Sequence, residues 1–112
     1  MNMPIDSDVL LDRLEKMQDA IKEYAKAKSE RVYLEQFRKS KKALLMKQSG
    51  ENAVNAQERE AYANEEYQEL LKGLAEAVRV EETHRWTLTN LQMQCDVYRT
   101  IQANQRAVQD RV

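Results

Sequence analysis

Arg38, Lys39, Lys41, Lys42 and Lys47 fall inside the stretch QFRKSKKALLMKQSG, residues 36–50, which contains no acid. Ammonium and guanidinium groups at this density neutralise phosphates and release their counterions, which gives an affinity that ignores base sequence and falls with salt. The whole chain sums to −1 at pH 7, so these charges are segregated. A local cationic stretch on an otherwise acidic protein is the footprint of a polyanion partner. Tyr24, Tyr33 and Phe37 lead into it. Exposed rings stack bases while the phosphates track a cationic groove. Tyr33 lies off the apolar row of its helix and is the candidate stacking residue, whereas Phe37 lies on that row and is assigned to the core. The competing reading is a solvated face, or one neutralised across a helix pair by Glu58, Glu60, Glu65, Glu66 and Glu69, among which Arg59 is the one base.

The other reactive side chains do not assemble into a catalyst. His84 is the single histidine and has no cysteine pair or carboxylate spacing that would build a metal site. Cys95 has no partner for an internal disulfide and sits on an apolar stripe, so it reads as a small buried side chain in a protein of a reducing compartment. Neither glycine belongs to a phosphate-cradling loop. These features predict no enzyme, no cofactor and no metal. Trp86, beside His84 and Arg85, is instead a large ring suited to anchoring a helix pair or an oligomer.

The elements that must position these residues are helical. Forty-two per cent hydrophobic and 33% charged residues, with two Gly and one Pro, is the profile of long helices and coiled coils. Such a chain buries little surface alone. No run has the length of a membrane span, and the start MNMPIDSDVL lacks the basic and apolar regions of a signal peptide, so the expectation is a soluble cytoplasmic protein. Pro4 and the Asp6-Ser7-Asp8 cluster mark a helix start, and a first helix is expected over about 8–48. Its seam reads Leu10, Leu14, Met17, Ile21 and Tyr24, is interrupted at Lys28 and Arg31, and resumes with Leu34, Phe37, Leu44 and Leu45. A connection follows over about 49–57. Asn55 with Glu58 resembles a capping box, Asn64 offers a second cap, and a helix or broken helix is expected over about 58–106. In it Leu70, Leu74, Ala77, Glu81, His84, Leu88, Leu91, Cys95 and Tyr98 keep the three-four rhythm. A second stripe of Met93, Val97, Ile101 and Val108 exceeds what one partner helix covers and points to self-association. The expected fold is all-α: one domain, residues 1–112, as an antiparallel, coiled-coil-like hairpin of two long helices that forms homo-oligomers, with Trp86, Met93, Val97 and Ile101 at the interface.

Residues 35–105 resemble small phage-encoded helical proteins. A basic helix ends Lys42-Ala43-Leu44-Leu45 and Ser49-Gly50, EREAYANEEYQELL follows, and a further helix carries Arg85-Trp86, Cys95 and YRTIQANQR. In this the chain is similar to the UvsY-type recombination mediators of phages. That family carries a basic residue, Ala, any residue and Leu shortly before a Ser-Gly turn, and Lys42 matches the basic position. The family's second basic residue, two places on, is Leu44 here, with Lys41 and Lys47 nearby to supply charge. The resemblance implies a short, oligomeric, single-stranded-DNA-binding accessory protein of phage or prophage recombination and replication in a bacterial host cytoplasm. It also implies a recombinase or single-strand-binding protein as a further partner.

The expectation is therefore single-stranded DNA bound through Arg38, Lys39, Lys41, Lys42 and Lys47 and repeated around an oligomer, where avidity multiplies weak contacts. The rival is a coiled-coil adaptor or inhibitor that docks a protein partner and leaves nucleic acid alone.

Overall fold

In the computed structural model, which describes residues 7–111, the chain forms three helices: α1 (Ser7–Gln48), α2 (Val54–Ala63) and α3 (Glu65–Asp110). No strand is present among the described residues. The fold is the all-α helical hairpin that the composition predicts. Pro4 and Asp6, read as part of the first helix start, lie outside the described residues.

The helices divide between two compact units, one built of residues 7–25 and 83–111, the other of residues 26–82. In the first unit, Leu10, Leu14, Met17 and Tyr24 of α1 are half-buried, and so are Leu88, Leu91 and Tyr98 of α3. Cys95 is buried, with its Sγ 3.4 Å from Met17 Sδ. It is the small buried side chain expected from its stripe. In the second unit the fully buried apolar residues are Ala27, Ala61 and Tyr67. Two small residues let helices approach closely, and Tyr67 supplies most of the buried apolar volume. The Tyr62 and Tyr67 rings meet edge to face at 5.7 Å, a favoured aromatic arrangement.

The seam of α1 differs from the one expected, and charge explains why. Burial follows Leu10, Arg13, Met17, Ala20, Tyr24, Ala27, Arg31, Leu34, Arg38, Lys41 and Leu45, an unbroken three-four repeat that includes four bases. Hydropathy alone passes over Arg31, which continues the seam by pairing with Glu81. Ala20 takes the place assigned to Ile21, which is 50% exposed. Phe37 and Leu44, assigned to the resumed apolar row, are 41% and 53% exposed. The seam of α3, Leu70 through Tyr98 with Glu81 and His84 in its middle, runs as read from the sequence.

The connection is shorter than its composition predicts. α2 starts at Val54 after Ala53, whose side chain caps nothing, so Asn55 lies inside the helix and Asn55 with Glu58 is no capping box. Glu58 turns instead towards Lys42. Asn64 does cap α3: its Oδ1 accepts the Tyr67 backbone N–H at 3.1 Å. The turn after α1 is held by Ser49, whose Oγ donates to Glu60 Oε2 at 2.5 Å and accepts the Glu51 N–H at 3.1 Å. Gly50 has no left-handed backbone and open space where a Cβ would stand, so side-chain hydrogen bonds rather than glycine freedom make the turn.

Candidate nucleic-acid interface

The second unit contains all five bases. At about 100° per residue, successive bases from Arg38 to Lys47 point around the circumference of α1 and do not form one strip. Arg38 lies in the seam, half-buried, with its Nε buried and without a hydrogen-bond partner. Lys41 lies at the seam's edge position and Lys42 beside it, and both are paired. Lys41 Nζ donates to Glu66 Oε2 at 2.5 Å, and Lys42 Nζ lies 3.6 Å from Glu58 Oε1. Lys39 and Lys47 are exposed and make no ion pair among the described residues.

The pairs leave electrostatic marks. Hydrogen bonding to Lys41 holds the Glu66 carboxyl below its ordinary range. Lys42 is raised, first by its contact with Tyr62 and then by Glu58; its ammonium sits 4.7 Å from the centre of the Tyr62 ring, within reach of the ring's negative face. Two of the five acids considered as internal neutralisers thus reach the bases. A third, Glu60, is taken by Ser49.

The aromatic side chains are more available than expected. Tyr33 is 66% exposed, and Phe37, assigned to the core, stacks on it in the open with ring centres 6.1 Å apart and planes 15° from parallel. A seam through Leu34, Arg38 and Lys41 turns Phe37 outward. Tyr33, Phe37, Ser40, Leu44 and Lys47 follow at spacings of four, three, four and three, so they share one exposed face of α1, with paired Lys41 at its edge. Below Tyr33 runs a shallow open groove lined by Ser29, Glu30 and Leu34. The spacing of four between Tyr33 and Phe37 carried the signal that they meet. Nothing local in the sequence signals the contact of Tyr62 with Lys42, because it depends on where α2 lies.

Trp86, Met93 and Val97, in the other unit, are 59%, 62% and 55% exposed. Ile101 is half-buried at the edge of the seam. Trp86 carries the Arg85 guanidinium 4.8 Å above its ring and does not anchor the helix pair.

No group of three or more His, Cys, Asp or Glu positioned for a metal ion occurs among the described residues, and no described helix is long and apolar enough to cross a membrane. The chain matches no protein-family model, no curated protein and no solved structure.

Proposed function

We propose that this protein is a non-enzymatic, self-associating accessory protein that binds single-stranded DNA, working beside a recombinase or single-strand-binding protein as its resemblance to the phage UvsY-type mediators implies. The observation that carries this reading is the open Tyr33–Phe37 stack sharing a helix face with Lys47, with Lys41 at its border. Single-stranded bases stack on such rings without regard to sequence, at about 1–3 kcal/mol per base, while flanking cations hold the phosphates. Lys39 and Lys47 offer charge at once. Lys41 and Lys42 offer theirs once phosphate displaces the carboxylates. Glu66 is 75% exposed, and exposed ion pairs are worth only about 0–1 kcal/mol, so a polyanion that also releases counterions outcompetes them. Arg38 contributes potential from the seam rather than direct contact. Self-association through Trp86, Met93, Val97 and Ile101 repeats the site and adds avidity.

The second reading, a coiled-coil protein-interaction module, is favoured by one observation. The Lys41–Glu66 and Lys42–Glu58 pairs are the internal neutralisation that this reading requires. Fluorescence anisotropy with labelled single-stranded and duplex oligonucleotides across a salt series separates the two. The DNA reading expects binding that favours single strands and falls linearly in log affinity against log salt, whereas the module reading expects none at moderate ionic strength.

A further inference from the structure

The outer surface of α3 carries a second repeat that hydropathy alone does not outline. Trp86, Asn90, Met93, Val97, Thr100 and Asn104 follow at spacings of four, three, four, three and four, every one of them exposed. This is the period of a coiled-coil seam. It lies on the side of α3 away from Leu88, Leu91, Cys95 and Tyr98, so α1 does not cover it. The row itself has no charge. Thr87, Gln94 and Ile101 border it on one side, Thr89, Asp96 and Ala103 on the other. Asp96 lies 3.7 Å from Arg99 of its own helix.

We infer that this row is the face on which a second copy of the chain docks, α3 against α3, parallel and in register. This rests on the self-association included in the proposed function and fixes its partner, orientation and register. The charge pattern suits a copy of the same chain, because an uncharged row with near-neutral borders brings no like charges together when it meets itself, and its three-four repeat matches itself position for position. Parallel alignment follows from the two asparagines. Asn90, Val97 and Asn104 occupy one alternating position of the repeat, and Trp86, Met93 and Thr100 the other. In a parallel pair each residue meets its own counterpart, so Asn90 amides pair with each other, Asn104 amides do likewise, and Val97 packs on Val97. A buried asparagine pair at such a position fixes register at some loss of stability. The best antiparallel alignment stacks Val97 on Met93 and forces Asn104 against Trp86, which leaves an amide facing a ring.

Disulfide trapping in the full chain tests this directly, with Cys95→Ala removing the native thiol. Asn90→Cys and Asn104→Cys, made singly and oxidised under mild conditions, should each give a covalent dimer as the main species on a non-reducing gel. An equimolar mixture of Asn90→Cys with Thr100→Cys should give little mixed dimer. Light scattering of the unoxidised variants separates the two levels of the claim, and circular dichroism confirms that each is folded. A mass of one chain, 13.2 kDa, overturns self-association and with it this inference, and assigns the face to a different protein. An oligomeric mass without the single-variant disulfides, or with the mixed dimer dominant, overturns the parallel register and leaves self-association standing.

Discussion

Arg31 grips Glu81 with two hydrogen bonds, Nε to Oε2 at 2.6 Å and Nη2 to Oε1 at 3.1 Å, across fifty residues of sequence. Glu81 is buried, and Arg31 also reaches Glu35 at 3.0 Å. Its hydrogen bond to Glu81 holds the guanidinium firmly protonated. A bidentate, shape-specific pair inside the seam favours the one register in which both partners meet.

Removing one partner should therefore hurt more than removing both. Arg31→Met leaves the Glu81 carboxylate buried without its main donor, whereas Arg31→Met with Glu81→Leu replaces the pair by packed hydrocarbon. Thermal melts followed by circular dichroism should show the double variant recovering more than half of the single variant's loss in Tm. Additive losses would mean that the pair contributes nothing specific.

Tyr67 is 2% exposed in a unit whose other fully buried apolar residues are alanines. Tyr67→Ala should cost about 3–5 kcal/mol, as for other large-to-small aromatic truncations, and remove much of the chain's stability. Tyr62→Ala, at a 44% exposed position, should cost far less. Urea titrations of both variants measure the difference.

Lys39→Ala with Lys47→Ala should lower the log-log salt slope of single-strand binding by about 1.4, at about 0.7 per lost phosphate contact. The helix should persist, since alanine favours it. Tyr33→Ala should weaken binding at every salt concentration without changing the slope, because stacking releases no counterion. Anisotropy titrations at matched ionic strength that show unchanged slopes would remove these lysines from the interface.

Glu58→Gln with Glu66→Gln should strengthen single-strand binding by freeing Lys42 and Lys41. Lowering the pH should act in the same direction. The Glu66 pKa is depressed in the fold, so its pairing with Lys41 is complete above the carboxyl's ordinary range and is lost as the pH falls through the depressed value. The same sign applies to stability, which this pair supports at neutral pH and not in strong acid. Weaker binding by the double variant would contradict competition between these acids and phosphate.

Trp86→Asp, Met93→Asp and Val97→Asp together should dissociate the self-associated form while leaving helix content nearly unchanged. At ~25 cal/mol per Å² of apolar area, three such side chains contribute several kcal/mol per protomer when covered. Light scattering reads the outcome, and a wild-type mass would remove this face from the interface.

The sequence by itself determined the helical class, the long first helix, the interruption near residue 50, the cap at Asn64 and the whole seam of the last helix from Leu70 to Tyr98. These are local or periodic signals, set by propensity, capping chemistry and a three-four rhythm of mostly apolar residues. It also held, unread, the spacing of four that stacks Phe37 on Tyr33.

Only the tertiary structure decided which way the first helix turns. Hydropathy favours Ile21, Phe37 and Leu44 as buried, yet the seam takes Ala20, Arg31 and Arg38. Arg31 lies inside because Glu81, fifty residues away, satisfies its guanidinium, and pairing offsets the cost of burying a cation, whereas Arg38 is only half-buried and keeps a buried Nε without a hydrogen-bond partner. That rotation turns Phe37 outward and brings Lys41 and Lys42 against Glu66 and Glu58, splitting what looks like a single basic strip into paired, seam-facing and exposed charges. A partner distant in sequence sets the cost of burying Arg31 and of pairing Lys41 and Lys42, so no local pattern along α1 could have fixed their places.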